Sequence, residues 1–273
     1  MFRLLRQSAL CLSLVVAAAS LAPGAARADV EVDLALVIAV DISYSMDPDE
    51  LTLQRQGFAE AFRAPVVHDA IRSGMLGRIA VVYFEWAGSY DQRVMVPWTV
   101  IDNPDAALGF ADKVAAVPVR RAQRTSISGA IEFGVKLLAQ SGVDAQRRVI
   151  DISGDGANNQ GRAVTEVRDE ALAQGITING LPLMLKRPGY LDIPDLDLYY
   201  RDCVIGGVGH FMEPVRAREH FKQAIRTKII REIADLAPAR PLIHLAQASA
   251  QSRREKGYDC LIGETQWRER MGP

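Results

Sequence analysis

Five oxygen-bearing side chains in three separate segments form a candidate cation site. An Asp-x-Ser-x-Ser segment supplies Asp41, Ser43 and Ser45, the segment RTSISG supplies Thr125, and SGDG supplies Asp155. Carboxylate and hydroxyl oxygens suit hard divalent ions, whereas zinc favours His and Cys. We therefore expect Mg²⁺, with Mn²⁺ or Ca²⁺ as alternatives. Two carboxylates balance the charge of such an ion, and a carboxylate from a partner would complete its coordination.

The Asp-x-Ser-x-Ser segment is weak evidence when taken alone. Asp and Ser are also common residues at helix N-termini, so a simple capping role explains them as well. The positions of the three segments strengthen the metal interpretation. Asp41 and Asp155 each follow a predicted strand, and loops that leave the carboxyl ends of parallel strands converge at one edge of a sheet. Thr125 precedes a helix that is expected to begin on the same side.

Strands and helices alternate along the chain. The apolar run 32–40 predicts a strand buried on both faces, and the two β-rich segments around AGSYDQ predict a hairpin in which Pro97 fits an edge strand. This order predicts a doubly wound, mostly parallel α/β sheet with one antiparallel edge strand. The predicted strands are 32–40, 78–86, 93–100, 147–153, 176–181 and 209–215; the predicted helices are 49–62, 104–117, 126–139, 162–174 and 216–236.

The two ends of the chain predict an exported protein. Residues 1–28 resemble a secretory signal peptide, with Arg3 and Arg6 before a short apolar core and a cleavage site after Ala28. Residues 29–237 form the predicted domain, and 238–273 form a polar C-terminal extension. We expect a periplasmic or secreted location, and no other segment is long and apolar enough to span a membrane. The mature formal charge of about −4 gives no support for nucleic-acid binding.

Cys203 and Cys260 are the cysteines that remain after cleavage. An isolated pair in an oxidising compartment predicts a disulfide, which would dock the C-terminal extension through Cys260 and the short segment 258–262. The alternative is two unrelated buried thiols.

The motifs as a set resemble a von Willebrand factor A-like domain. The segments DISYS, TSISGAI and SGDG match its metal-ion-dependent adhesion site, and RRVIDISGDGANNQG and YYRDCVIGGVGHF are similar to an exported bacterial branch of unknown function (DUF1194-like). This resemblance implies a Rossmann-like three-layer sandwich. It also implies that the serines and the threonine reach the metal directly while the aspartates often act through water.

A metal-dependent protein-binding module is the function that these residues favour. Its partner would be a protein that offers an acidic residue to the ion; the oligomeric state is not set by the sequence. The alternative is a metal-assisted hydrolase or phosphatase that uses the same cluster. Aspartyl-phosphate phosphatases need a second aspartate where Ser43 stands, and a serine hydrolase needs G-x-S-x-G with a positioned His, so no catalytic constellation is recognised.

Other polar residues have structural explanations that are stronger than functional ones. Glu85 is expected to form a salt bridge or a loop contact, although it could border the site, and Asp151 is expected to be paired beside Arg147 and Arg148. Turn formation explains Asn158 and Asn159. The four histidines, 68, 210, 220 and 244, lack the spacing of metal ligands.

Overall fold

A five-stranded sheet forms the middle layer of the fold. The structure is a computed structural model that describes residues 29–186, 189, 193–234 and 257–271. The strands are β1 (Val30–Asp41), β2 (Ile79–Trp86), β3 (Gln92–Ile101), β4 (Val143–Gly154) and β5 (Thr177–Pro182). They lie in the order β3-β2-β1-β4-β5, and only the β2–β3 pair is antiparallel. The predicted α/β sheet with one antiparallel edge strand is therefore confirmed.

Strand β1 lies at the centre because its side chains are apolar on both faces. Leu34, Leu36 and Ile38 belong to one hydrophobic cluster, and the alternate residues Ala35 and Val37 belong to the other. A strand covered on both sides needs such a continuous apolar run. Its buried carboxyl end therefore delivers Asp41 to a fixed position at the sheet edge.

Helices cover both faces of the sheet. They are α1 (Pro48–Arg63), α2 (Pro65–Arg72), α3 (Pro104–Ala115), α4 (Ile127–Ala139), α5 (Val164–Ala173), α6 (Leu196–Tyr199), α7 (Phe221–Ala234) and α8 (Ile262–Met271), with a π-helical turn at Tyr200–Val204 and a 3-10 turn at Arg218–His220. Helices α1, α2, α3 and α7 pack on one face, and α4 and α5 pack on the other. In the described part of the chain, no helix is both long and apolar enough to cross a membrane.

Two predicted elements differ most from the structure, which also contains one helix that was not predicted. Segment 209–215 is not a strand, because only isolated bridges join Met212 to Gly180 of β5 and Val215 to Leu183. The backbone before it bends at Gly207 and Gly209, which adopt positive φ angles of 96° and 70°. Helix α7 begins at Phe221 rather than at residue 216, and helix α2 was not predicted.

The C-terminal extension contains a helix where irregular chain was expected. Helix α8 follows the predicted docked segment 258–262, and the predicted disulfide between Cys203 and Cys260 is present. The expected signal peptide at 1–28, the segment 235–256 and His244 lie outside the described residues.

Candidate metal centre

Asp41 and the two serines form a hydrogen-bonded loop at the end of β1. Asp41 is the last residue of the strand and is fully buried. Its Oδ1 accepts a hydrogen bond of 2.7 Å from the backbone N–H of Ser43. The hydroxyl oxygens of Ser43 and Ser45 lie 2.7 Å apart, with Ser43 buried and Ser45 exposed. The loop therefore arranges oxygen atoms in a row from the core to the surface.

Asp155 reaches the same loop from the neighbouring strand. Strands β1 and β4 are parallel partners, with Val40 opposite Ser153, so their carboxyl ends lie side by side. The Ser45 hydroxyl donates a 2.5 Å hydrogen bond to Asp155 Oδ1. Gly154 allows this close approach, since a Cβ atom there would lie only 2.8 Å from Asp41 Oδ2.

Thr125 is held beside the Asp155 loop by backbone contacts. Its N–H donates to Asn159 Oδ1 at 3.0 Å, and its carbonyl accepts from the Asn159 N–H at 2.8 Å. A Cβ atom on Gly156 would lie 3.8 Å from Thr125 Oγ1. Thr125 also lines the same cavity as Ser43 and Ser45. The structure thus brings all five predicted residues to one edge of the sheet, and their role as ligands stays a prediction.

Two carboxylates in this position create an electrostatic cost. Burial and the nearby charge of Asp155 raise the pKa of Asp41 well above its usual value, although the amides of Ser43 and Asp155 oppose the rise. Asp41 Oδ2 is buried and makes no hydrogen bond with a described residue. An unsatisfied buried oxygen is rare in folded proteins and calls for an explanation. A bound cation would provide one.

The donor set fits a hard ion. Among the described residues no group of three or more His, Cys, Asp or Glu side chains is placed to hold a metal. An ion at this edge would therefore depend on three hydroxyls and two carboxylates, which is an oxygen-only set. Such a set suits Mg²⁺, Mn²⁺ or Ca²⁺ rather than zinc.

Lys186 places a positive charge beside the cluster, although it is not among the residues predicted from the sequence. Its Nζ lies 3.7 Å from Asp155 Oδ2 and 2.5 Å from Glu50 Oε2, and it also donates to the Ser45 carbonyl. Burial alone would lower the pKa of Lys186, but the hydrogen bond that its ammonium donates to Glu50 and the charges of the surrounding carboxylates raise it. Lys186 lies in the irregular segment after β5, where no periodic pattern indicates which way a side chain points.

Glu85 and the asparagines have structural partners, as expected. Glu85 is fully buried and forms ion pairs with Arg55 at 2.8 Å and Arg120 at 3.2 Å. Asn158 Oδ1 accepts from the Ser128 N–H at 3.0 Å. Together with the contacts between Asn159 and the Thr125 loop, this contact fixes the Asp155 loop against helix α4.

Asp151 is paired as expected, but its partner is Lys228 on α7 rather than the neighbouring Arg147 or Arg148. Its Oδ1 lies 2.8 Å from Lys228 Nζ, which also lies 2.5 Å from Glu232 Oε1, and all three side chains are fully buried. One lysine cannot neutralise two carboxylates. Burial, followed by the charge of Glu232, raises the pKa of Asp151 to about 7, although Lys228 opposes the rise.

The histidines that the structure describes lie away from the cluster. His68 contacts the Phe62 carbonyl at 2.7 Å, and His210 contacts the Gly207 carbonyl at 2.7 Å. His220 is exposed in the 3-10 turn before α7. These contacts agree with their interpretation as structural or surface residues.

Solved structures with a similar fold include a von Willebrand factor type A protein, a byssal thread matrix protein and a pilus adhesin. A von Willebrand factor type A protein from Catenulispora acidiphila aligns with a TM-score of 0.53 at 12% identity, over 74% of this chain and 43% of that one. Proximal thread matrix protein 1 from the mussel byssus gives 0.52 at 12% identity, over 76% and 49%. The pilus adhesin SpaC from Lactobacillus rhamnosus GG gives 0.51 at 12% identity, over 74% and 30%. The chain spans less than half the length of each of these proteins.

These likenesses establish a von Willebrand factor A-like fold. No curated protein matches the chain. The family model described as "Protein of unknown function (DUF1194)" matches residues 31–237, which is most of the chain and almost the whole of the predicted domain. The chain belongs to the DUF1194 family, and its domain has a von Willebrand factor A-like fold.

Proposed function

We propose that this protein is an exported module that binds a protein partner through a divalent cation. The ion would be held by the cluster at the carboxyl ends of β1 and β4, formed by Asp41, Ser43, Ser45, Thr125 and Asp155. The observation that carries the proposal is the buried Oδ2 atom of Asp41, which lacks a hydrogen-bond partner among the described residues and lies beside a second carboxylate.

The residues have separate tasks in this proposal. The three hydroxyls would coordinate the ion, and the two aspartates would supply the balancing charge and orient the hydroxyls. Ser45 already donates to Asp155, and the Asp41 carboxylate already fixes the Ser43 backbone. The ion would act as a Lewis acid that accepts a carboxylate oxygen from the partner. Mg²⁺ is the first choice because it is usually bound through one or two carboxylates, while the hard oxygen donors also admit Mn²⁺ or Ca²⁺.

The comparison structures support a protein partner rather than define one. They include a pilus adhesin and a byssal thread matrix protein, both of which have the same fold. The disulfide between Cys203 and Cys260 supports export, because such bonds persist in oxidising compartments.

A hydrolase that uses the same cluster gains no support from the contacts of the serines. In the described part of the chain, the hydroxyls of Ser43 and Ser45 bond to each other and to Asp155, and neither bonds to a histidine. A screen for phosphatase and esterase turnover with added Mg²⁺ tests this alternative. Turnover that disappears in Asp41→Ala would favour the enzyme.

Thermal unfolding with and without metal tests the proposed module. We expect Mg²⁺ or Mn²⁺ to raise the melting temperature of the wild type, since an ion at 100 times its Kd stabilises the native state by about 2.7 kcal/mol. Asp41→Ala should abolish this rise. Asp144→Ala is the matched control, because Asp144 is exposed near the start of β4, at the opposite end of that strand from Asp155. A melting curve of the wild type that neither ion changes would refute the site.

A pull-down from envelope extract tests the partner. The wild type should retain a protein in Mg²⁺ and release it when a chelator is added, and Asp41→Ala should retain nothing. If the wild type retains the partner equally well in Mg²⁺ and in chelator, or if Asp41→Ala retains it as well as the wild type, a metal-dependent contact is contradicted.

A further inference from the structure

Helix α8 forms one wall of a cavity into which the candidate metal centre opens. The cavity has a volume of about 720 Å³ and is lined by Ser43 and Thr125 on the side of the metal centre, and by Trp267 and Arg270 on the side of α8. This volume falls in the range of about 300–1,000 Å³ that is typical of ligand pockets. The cluster therefore faces a pocket rather than a flat surface.

The wall is fixed in place by several contacts. The disulfide between Cys203 and Cys260 ties the start of α8 to the domain. Glu264 Oε1 accepts a hydrogen bond of 2.6 Å from Asn158 Nδ2. Gly263 packs so tightly that a Cβ atom there would lie 2.1 Å from the Asn158 carbonyl oxygen. These contacts hold α8 against the Asp155 loop, so the residues that α8 offers to the cavity are preorganised.

Arg124 is the unusual residue of this pocket. Its guanidinium carbon lies 3.5 Å from the centre of the Trp267 ring, and its Nη1 is buried without a hydrogen-bond partner among the described residues. Its φ angle of 72° lies in the region that favours glycine, and it is the one described residue other than glycine with a positive φ. Strained residues of this kind often serve a function. Here the strain positions a cation directly before Thr125.

A second guanidinium lies over an aromatic ring of the pocket lining. Tyr44 lines the cavity and is 55% exposed, and the Arg121 guanidinium lies 5.1 Å from the centre of its ring. Together with Arg124, this pair places two guanidinium groups beside the loops that carry Ser43, Ser45 and Thr125. An acidic ligand is the chemical complement of such a pocket.

We propose that the pocket binds an acidic peptide segment of the partner through two carboxylates. One carboxylate binds the ion, and the second binds the guanidinium of Arg124, which lines the pocket and is only partly buried. Helix α8 thereby sets specificity, because it supplies the aromatic surface that holds Arg124. This inference rests on the proposed function and names the chemistry of its partner.

Selection from a randomised peptide library displayed on phage tests the second carboxylate. The probe is the library itself, and selection is run in Mg²⁺ and in chelator with the wild type, Arg124→Gln and Arg226→Gln. Arg226 is an exposed residue of α7 and provides the same loss of charge on a distant helix. We expect the wild type and Arg226→Gln to select, in Mg²⁺ alone, peptides with two acidic positions, and Arg124→Gln to select peptides with one.

The affinities of one selected two-acid peptide and of its single-acid version measure how much Arg124 contributes to binding. Arg124→Gln should weaken the two-acid peptide by at least about tenfold, because a hydrogen bond to a charged group is lost. It should leave the single-acid peptide unchanged. Trp267→Leu should give the same pattern through loss of the stacking surface. Calorimetric binding of Mg²⁺ by each variant verifies that its metal centre and fold persist.

The possible failures separate the two proposals. If the wild type selects peptides with a single acidic position, or if Arg124→Gln selects the same two-acid peptides as the wild type, the second carboxylate site is refuted and the metal-dependent module stands. If no peptide is selected in a metal-dependent manner, both proposals are refuted.

Discussion

Replacing Asp41 with asparagine should have opposite effects on the stability of the metal-free and the metal-bound protein. Asparagine keeps the Oδ1 acceptor that binds the Ser43 N–H, and it replaces the charged, unpartnered Oδ2 atom with a neutral NH2 group that can donate to the neighbouring Asp155 carboxylate. A buried polar atom without a partner costs about 1–3 kcal/mol. In chelator, Asp41→Asn should therefore raise the free energy of unfolding by about 1–3 kcal/mol.

Magnesium should reverse that advantage. The wild type gains about 2.7 kcal/mol at 100 times its Kd for the ion, whereas Asp41→Asn should gain almost nothing because one of the two charges that hold the ion is lost. Urea unfolding of both proteins in chelator and in saturating Mg²⁺ measures the four free energies. Asp144→Asn, at an exposed position, should behave as the wild type in both conditions. A variant that is less stable than the wild type in chelator, or equally stabilised by Mg²⁺, would refute the reasoning.

Three further variants test individual contacts. Lys186→Gln should raise the affinity for Mg²⁺ about fivefold in calorimetry, because it removes an ammonium near the Asp155 carboxylate; the 38% exposure of Lys186 reduces this Coulomb repulsion of the ion to about 1 kcal/mol. Lys222→Gln, an exposed change on α7, should leave the affinity unchanged. Equal affinities in the two variants would contradict the role of Lys186. Asp151→Asn should be more stable than the wild type, and the difference in the free energy of unfolding should grow by up to about 1.4 kcal/mol per pH unit between about pH 4 and 7 and then level off. The reason is that the native Asp151 carboxyl, with its pKa raised to about 7, keeps a proton that the unfolded chain releases near pH 4. A margin that is independent of pH in urea unfolding would contradict it. Gly154→Ala should lower the free energy of unfolding by about 1–3 kcal/mol in the same assay and weaken Mg²⁺ binding, because the added Cβ atom would lie 2.8 Å from Asp41 Oδ2. Unchanged stability would show that the site tolerates this close contact.

The sheet was predictable because its signals are local. The apolar run before Asp41 requires burial on both faces, and the parallel arrangement that follows places the carboxyl ends of β1 and β4 together. The predicted site residues depend only on this arrangement, which is why Asp41 and Asp155 meet where they were expected. The expected antiparallel edge strand followed from a short hairpin and from Pro97.

The remaining features depend on contacts between distant segments. Segment 209–215 has the composition of a strand, but the turns at Gly207 and Gly209 allow only isolated bridges. Asp151 has Arg147 and Arg148 as sequence neighbours, yet its partner is Lys228 on α7. No local pattern indicates such a choice.

The pocket wall was beyond prediction for the same reason. The expected disulfide indicated that the C-terminal extension docks, but not that it forms a helix over the metal centre. The contact of Trp267 with Arg124 joins the last described helix to the loop before α4. Its only local signal is an arginine at a backbone position that glycine would occupy more easily.

Anomalous diffraction from crystals soaked in Mn²⁺ tests the central claim most directly. The proposed module predicts one strong manganese peak at the sheet edge, bounded by the hydroxyls of Ser43, Ser45 and Thr125 and by the carboxylates of Asp41 and Asp155. The peak should vanish in Asp41→Ala crystals soaked in the same way. A wild-type crystal without a peak at that edge, or a peak that persists in Asp41→Ala, would contradict the metal centre on which the proposed function rests.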